Sequence, residues 1–288
     1  MNSKKRLRFI LSSVLAFVLA VLLTCLTYIG DLYFKGLNTG VLTSAVLKSN
    51  YCVELMEAMY IECESITLPI GLPVEVVHDI FDLEDIQKDV SASVKASVEG
   101  YEYKADTALI KGKLLRNISA YLTEEKLVLS EEQEVYLEEY VTLIEDEYKN
   151  NIEMVVVTRA MPYWNSFLKV AGIASLFITF LVIVIIVTLI KMYHWRHRAL
   201  RFITYATLAA FIMSVALPAV LYCWHFYERL SISPKYFYLA MIYIIDDFLL
   251  FSVKLGCGWG IVSALLLATI STFKKNGYKR SEKKKPIS

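Results

Sequence analysis

Disulfide chemistry has little to work with in this chain, because there are five cysteines in 288 residues, too few for a disulfide scaffold. Cys25, Cys223 and Cys257 also sit in strongly apolar runs. The segment VELMEAMYIE between Cys52 and Cys63 has no glycine or proline and reads as continuous helix. That places the two thiols on one helix face but about 16 Å apart. A bridge needs Cα atoms within about 7 Å, so both are expected as free or packed thiols.

Catalytic signatures are lacking as well. There is no phosphate loop, no Gly-x-Ser-x-Gly elbow, no zinc-protease helix and no EF-hand spacing. The sequence reads as non-enzymatic, with no catalytic residue, no metal ligand set, no cofactor and no nucleic-acid partner. Net charge is nearly absent, at +1, yet the charges are segregated. Residues 31–166 hold 25 acidic against 11 basic residues, so the near-neutral total hides a polarised molecule.

What the chain has in quantity is apolar sequence, with 56% hydrophobic residues. Runs at 9–29, 167–190 and 202–224 each reach the roughly 20 residues needed to cross about 30 Å of hydrocarbon. A fourth apolar stretch, 236–273, is too long for one ordinary span. Counting back about 22 residues from the basic tail places its outer edge near Ser252, which leaves 225–251 as an outer loop and interfacial segment. The fold class expected is all-α: a four-span helical membrane protein with an all-helical extracellular domain, residues 30–166, between the first and second spans.

Orientation follows from the flanking basic residues. The N-terminus (1–8) has Lys4, Lys5, Arg6 and Arg8, the 191–201 loop has Lys191, Arg196, Arg198 and Arg201, and the 274–288 tail holds seven lysines and arginines. All fall on one side of a four-span chain. The expected localisation is the plasma membrane, multi-pass, with both termini cytoplasmic. Trp164, Trp195 and Trp224 mark boundaries consistent with this topology. The first apolar run could be a cleaved signal peptide; its length and the lack of a small-x-small site favour an uncleaved anchor.

Within residues 30–166 the periodicity predicts four amphipathic helices. The first starts near Val41, after a flexible exit with Gly30, Gly36, Asn38 and Gly40, and carries Leu42, Val46, Val53, Met56, Tyr60 and Cys63 on one face. The sequence LPIGLP, at 68–73, ends it. Asp82 is an expected N-cap for a second helix with Leu83, Ile86, Val90, Val94 and Val98 inward, stopped at Gly100. A third, capped by Asp106 or Thr107, buries Ile110, Leu114, Ile118 and Tyr121. Ser130 with Gln133 forms a capping-box pattern. It opens the longest of the four, with Leu137, Val141, Ile144, Tyr148, Ile152 and Val155 inward and its glutamates solvated, running on to Pro162.

Two sets of residues stand out in the spans. Ser12, Ala16 and Ala20 in the first span, and Gly256, Gly260, Ala264 and Ala268 in the fourth, repeat small side chains every four residues, the pattern that lets helix backbones approach closely. They are the expected packing face between those two spans. Asp246, Asp247 and Lys254 are the ionisable residues of the fourth stretch and form a candidate polar site, placed at the outer interface by the span boundary. His194 with His197, lone His78, the acids of 124–153 and the weak glycosylation sequon at Asn117 read as solvated or structural features.

The tract LPVEVVHDIFDLEDIQKDV, followed by the helix ending NISAYL, resembles a group of uncharacterised four-span membrane proteins of Gram-positive bacteria with one large helical outer loop. That likeness implies the topology and lends no activity. A weaker likeness, in topology alone, is to FtsX-type permease subunits, from which the chain departs in its short N-terminus and all-helical loop. The expected function is binding or sensing of a partner or ligand by the outer domain, with the lipid bilayer and a protein partner or self-association as partners. The alternative is a subunit of a transport or permease complex.

Overall fold

Backbone groups in hydrocarbon must be satisfied within their own segment, and the long apolar runs form long helices. The computed structural model describes residues 3–193 and 196–282. Nine α-helices and no strand occur among them: α1 (Ser3–Lys35), α2 (Thr39–Lys48), α3 (Tyr51–Thr67), α4 (Leu83–Glu99), α5 (Ala108–Glu124), α6 (Glu131–Ile152), α7 (Val155–Met192), α8 (Arg196–Trp224) and α9 (Lys235–Glu282). Four of these, α1, α7, α8 and α9, contain stretches long and apolar enough to cross a membrane.

The chain divides into two compact units. The first comprises Met1–Gly36, Ser166–Glu228 and Asp246–Ser288, and so holds the four apolar helical stretches. In α1 the buried positions are Ser12, Ala16, Leu19, Ala20, Leu23, Thr27 and Asp31. Steps of three and four keep them on one stripe. Its apolar members share a cluster with Val182, Ile185 and Leu189 of α7 and with Phe202, Ile203, Ala206 and Ala210 of α8. Alanines on α1 and α8 remove the side-chain volume that would hold the two backbones apart.

The second unit comprises Leu37–Asn165 and Arg229–Ile245. Its core is one apolar cluster drawn from α2 to α6, with Leu55, Met59, Ile86, Val90, Leu114, Ile118 and Ile144 at 0–1% exposure. Cys52 and Cys63 are free and buried in it, and burial pushes their thiols up, to about 11 and about 12 respectively. Caps fix the helix ends. Asp82 accepts the Glu84 N–H at 2.9 Å, Gly100 closes α4 at φ +87°, and Ser130 with Gln133 completes a capping box on α6.

Several boundaries differ from the sequence reading. Helix α1 continues through Gly30 to Lys35, because Asp31 and Lys35 both find partners within the first unit. The helix expected from Val41 to Cys63 is two helices, with Asn50 at φ +61° between them; the Ser49 hydroxyl bonds back to the Ala45 carbonyl, and asparagine tolerates the left-handed region without glycine's help. Helix α6 ends at Ile152, so Val155 belongs to α7, which runs through Pro162. His78 follows a 3-10 turn, Val74–Val77. His194 and Trp195 lie outside the described residues.

Candidate functional site

The small-residue stripes do not face each other. Gly256 lies against α8: a Cβ there would meet Val215 Cγ2 at 2.8 Å and Ser214 Cβ at 3.1 Å. A Cβ at Gly260 would meet the Phe211 ring at 3.2 Å. Ala264 and Ala268 are exposed. The reason is geometric: a strict four-residue step turns about 40° past each full turn, so the stripe drifts off the interface. Burial passes instead from Ser252 and Gly256 to Ser263, whose Oγ donates to Thr207 Oγ1 at 2.8 Å. Ser12, Ala16 and Ala20 are buried, and Ser12 Oγ lies 2.9 Å from the Tyr193 hydroxyl.

Helix α1 and α9 do meet, through polar pairs. Lys35 Nζ donates to Asp247 Oδ2 at 2.8 Å, Ser252 Oγ to Asp31 Oδ2 at 2.5 Å, and Trp259 Nε1 to Thr27 Oγ1 at 2.8 Å. Descending numbers on α1 match ascending numbers on α9, so the helices run antiparallel here. Of the three ionisable residues singled out in the sequence, Asp247 has Lys35, Asp246 accepts from the Tyr227 hydroxyl, and Lys254 is exposed. The structure does not bring these three together as one site.

Asp31 is not among the site residues expected from the sequence, because it falls at the start of the outer domain expected over 30–166. A signal for it existed: Asp31 stands seven residues after Thr24, on the face that carries Ala16 and Ala20. It is fully buried.

The helical unit has its own recess, a groove of about 460 Å³ between the second half of α5, the first half of α6 and the 68–73 segment. Leu72, Leu122, Leu129, Tyr136, Leu143 and Glu139 are among its lining residues. Tyr136 is 66% exposed and Leu143 48%. The first turn of α6 carries Glu131, Glu132 and Glu134, with Glu138 also exposed. The first-turn acids complement the helix dipole, and Glu139 is the acid among the groove's lining residues. The sequence reading missed the groove, although Leu129, Tyr136 and Leu143 form a seven-residue repeat that flanks the core stripe.

Other candidates prove structural. Asn117 Nδ2 donates to the Val76 and His78 carbonyls at 3.1 Å each, which uses both amide hydrogens of the sequon. Glu145 accepts from Thr107 Oγ1 at 2.6 Å. Glu147 pairs with Glu62, and Asn151 Nδ2 donates to both carboxyls. That contact with Glu62, then burial, pushes Glu147 up to about 7. No group of three or more metal-ligating side chains occurs among the described residues. Comparison of the chain with family models, with curated proteins and with solved structures finds no match.

Proposed function

We propose that the protein is a non-enzymatic, multi-pass membrane protein whose helical unit lies on the extracellular side and binds a partner. Its partner is a basic amphipathic peptide segment, and the groove between α5 and α6 receives it. The observation that carries this reading is the coincidence of an open apolar groove, with Tyr136 and Leu143 exposed in it, and an acid, Glu139, in its lining. An apolar helix face laid into a groove is a recurrent peptide-recognition mode, and an acid beside the groove favours a partner of the opposite charge. The basic residues flanking the apolar stretches support the orientation.

The transport alternative drew on Asp246, Asp247 and Lys254. Asp246 and Asp247 each have a partner within the first unit, so that stretch by itself does not favour a pathway.

The experiment is a titration of the full chain in nanodiscs with labelled helical peptides that share one apolar face and carry either lysine or glutamate on the other. The lysine peptide is expected to bind, more weakly at higher salt, and Leu143→Asp is expected to weaken it about tenfold or more. Equal affinity for the two peptides, or binding unchanged in Leu143→Asp, would remove the groove as the binding surface.

A further inference from the structure

Asp31 carries an unsolved charge problem. Its side chain is at 0% exposure on a helix long and apolar enough to cross a membrane. Its Oδ2 accepts one hydrogen bond, from Ser252 Oγ at 2.5 Å, while Oδ1 is buried with no hydrogen-bond partner among the described residues. An ionised carboxylate removed from water costs several kcal/mol unless it is paired and fully hydrogen-bonded, and one serine does not supply that.

A second set of oxygens lies one turn along α9. Ser214 Oγ on α8 is likewise fully buried with no partner among the described residues. Its residue faces Gly256, where an added Cβ would sit 3.1 Å from Ser214 Cβ and 3.3 Å from the Ser214 carbonyl carbon. Ser252 and Gly256 are four residues apart, about 6 Å along the helix. Four residues after Ser214 comes Pro218, inside α8. A proline has no N–H to give the carbonyl four residues before it, so Pro218 cannot supply the usual helical bond to the Ser214 carbonyl. Glycine at 256 lets that backbone approach, and Cβ-free packing brings α8 and α9 together where the oxygens are.

We propose that Asp31, Ser252 and Ser214 form a binding site for a small monovalent cation, a proton or an alkali metal ion, within the apolar helical unit. Charge sets the valence: one carboxylate among neutral hydroxyl and carbonyl oxygens is neutralised by one positive charge. A divalent ion would leave a net charge in a low-dielectric setting, which is costly. Oxygen ligands suit a hard cation.

Other ionisable groups near this level are already engaged or exposed. On α1, the Tyr28 hydroxyl donates to the Met213 carbonyl at 3.3 Å, the Tyr33 hydroxyl to the Leu168 carbonyl at 2.5 Å, and Lys35 to Asp247. On α9, Asp246 is held by Tyr227, and Lys254 and Cys257 are exposed. Lys169 on α7 and Cys223 on α8 are exposed, and Tyr222 and Glu228 lie at or beyond the end of α8. None supplies Asp31 with a counter-charge by hydrogen bond, since Ser252 is its one partner among the described residues.

Thermal unfolding of the full chain in nanodiscs tests this, because a ligand that binds the folded state raises the midpoint by mass action. The chain is compared in sodium, potassium and choline chloride at equal ionic strength, across pH, beside Asp31→Asn, Ser252→Ala and the control Asp247→Asn. An alkali ion at the site gives a midpoint raised by sodium or potassium over choline. A proton gives no alkali effect and a midpoint that falls as pH rises. In a Glu147→Gln background, which removes that residue's own pH response, either response should vanish in Asp31→Asn, persist in Asp247→Asn, and in Ser252→Ala require about tenfold more ion. The same ion and pH dependence in that background with and without Asp31→Asn overturns the proposal. Should Asp31→Asn fail to fold, an unaltered response in Ser252→Ala overturns it equally.

Discussion

Lys35 Nζ and Asp247 Oδ2 stand 2.8 Å apart, joining the end of α1 to α9 with side chains 29% and 35% exposed. An ion pair this open to solvent is screened and contributes about 0.5–1 kcal/mol. Asp247→Asn is therefore expected to fold and to lose about that much stability. A double-mutant cycle with Lys35→Met, read by chemical denaturation in detergent, measures the coupling. A coupling of several kcal/mol would mean that the pair is more deeply desolvated than its exposure indicates.

Gly256 and Ala268 should respond differently to the same substitution. Leucine at 256 must displace Val215 and Ser214, and overpacking of this kind costs about 1–3 kcal/mol or more. Leucine at the exposed Ala268 has open space and should leave the thermal midpoint unchanged. Equal effects at the two positions would contradict the α8 contact.

Asp89 accepts from the Tyr148 hydroxyl at 2.7 Å and from the Tyr103 hydroxyl at 2.9 Å. Tyr148 is 2% exposed. Asp89→Ala strands a buried phenol, and the expected loss is about 1–3 kcal/mol. Asp89→Asn keeps an acceptor and should recover most of it. Denaturation midpoints of the two variants make the comparison.

Glu147, pushed up to about 7 from its ordinary 4.5 by Glu62 and by burial, binds its proton more tightly in the folded chain than in the unfolded one. Its contribution is fully present below about 4.5 and is lost as pH rises through about 7. Because Glu147 is only partly buried, solvent screening discounts the effect to about 1 kcal/mol or less. Thermal midpoints should fall across that window in the wild-type chain, and Glu147→Gln should flatten the slope.

Orientation has a direct test. Single cysteines in place of Asn38 and Ser281, in a cysteine-free background, should react with an impermeant reagent on intact cells only at 38. Labelling at 281 would reverse the topology proposed here.

The sequence alone determined the helical class, the four long apolar helices and much of the second unit's core. Lengths of apolar runs and three- and four-residue periods are local quantities, so Ile86, Val90 and Val94 could be placed on an inward face from α4 alone. Caps were legible for the same reason, since Asp82 and Ser130 act on N–H groups two and three residues away. The break at Asn50 was not legible, because no glycine or proline announces it.

Which face meets which helix depended on the tertiary structure. The four-residue stripe in α9 was visible, but whether Gly256 met α1 or α8 depends on rotation about the helix axis, which no local pattern fixes. Asp31 and Ser252 are 221 residues apart, and nothing near either one specifies the other. Only packing removed Asp31 from water, and only packing set the orphaned Ser214 hydroxyl beside Gly256, one turn along α9 from Ser252. The groove at Tyr136 and Leu143 arose likewise, from a second apolar face on α6 that found no neighbour to cover it.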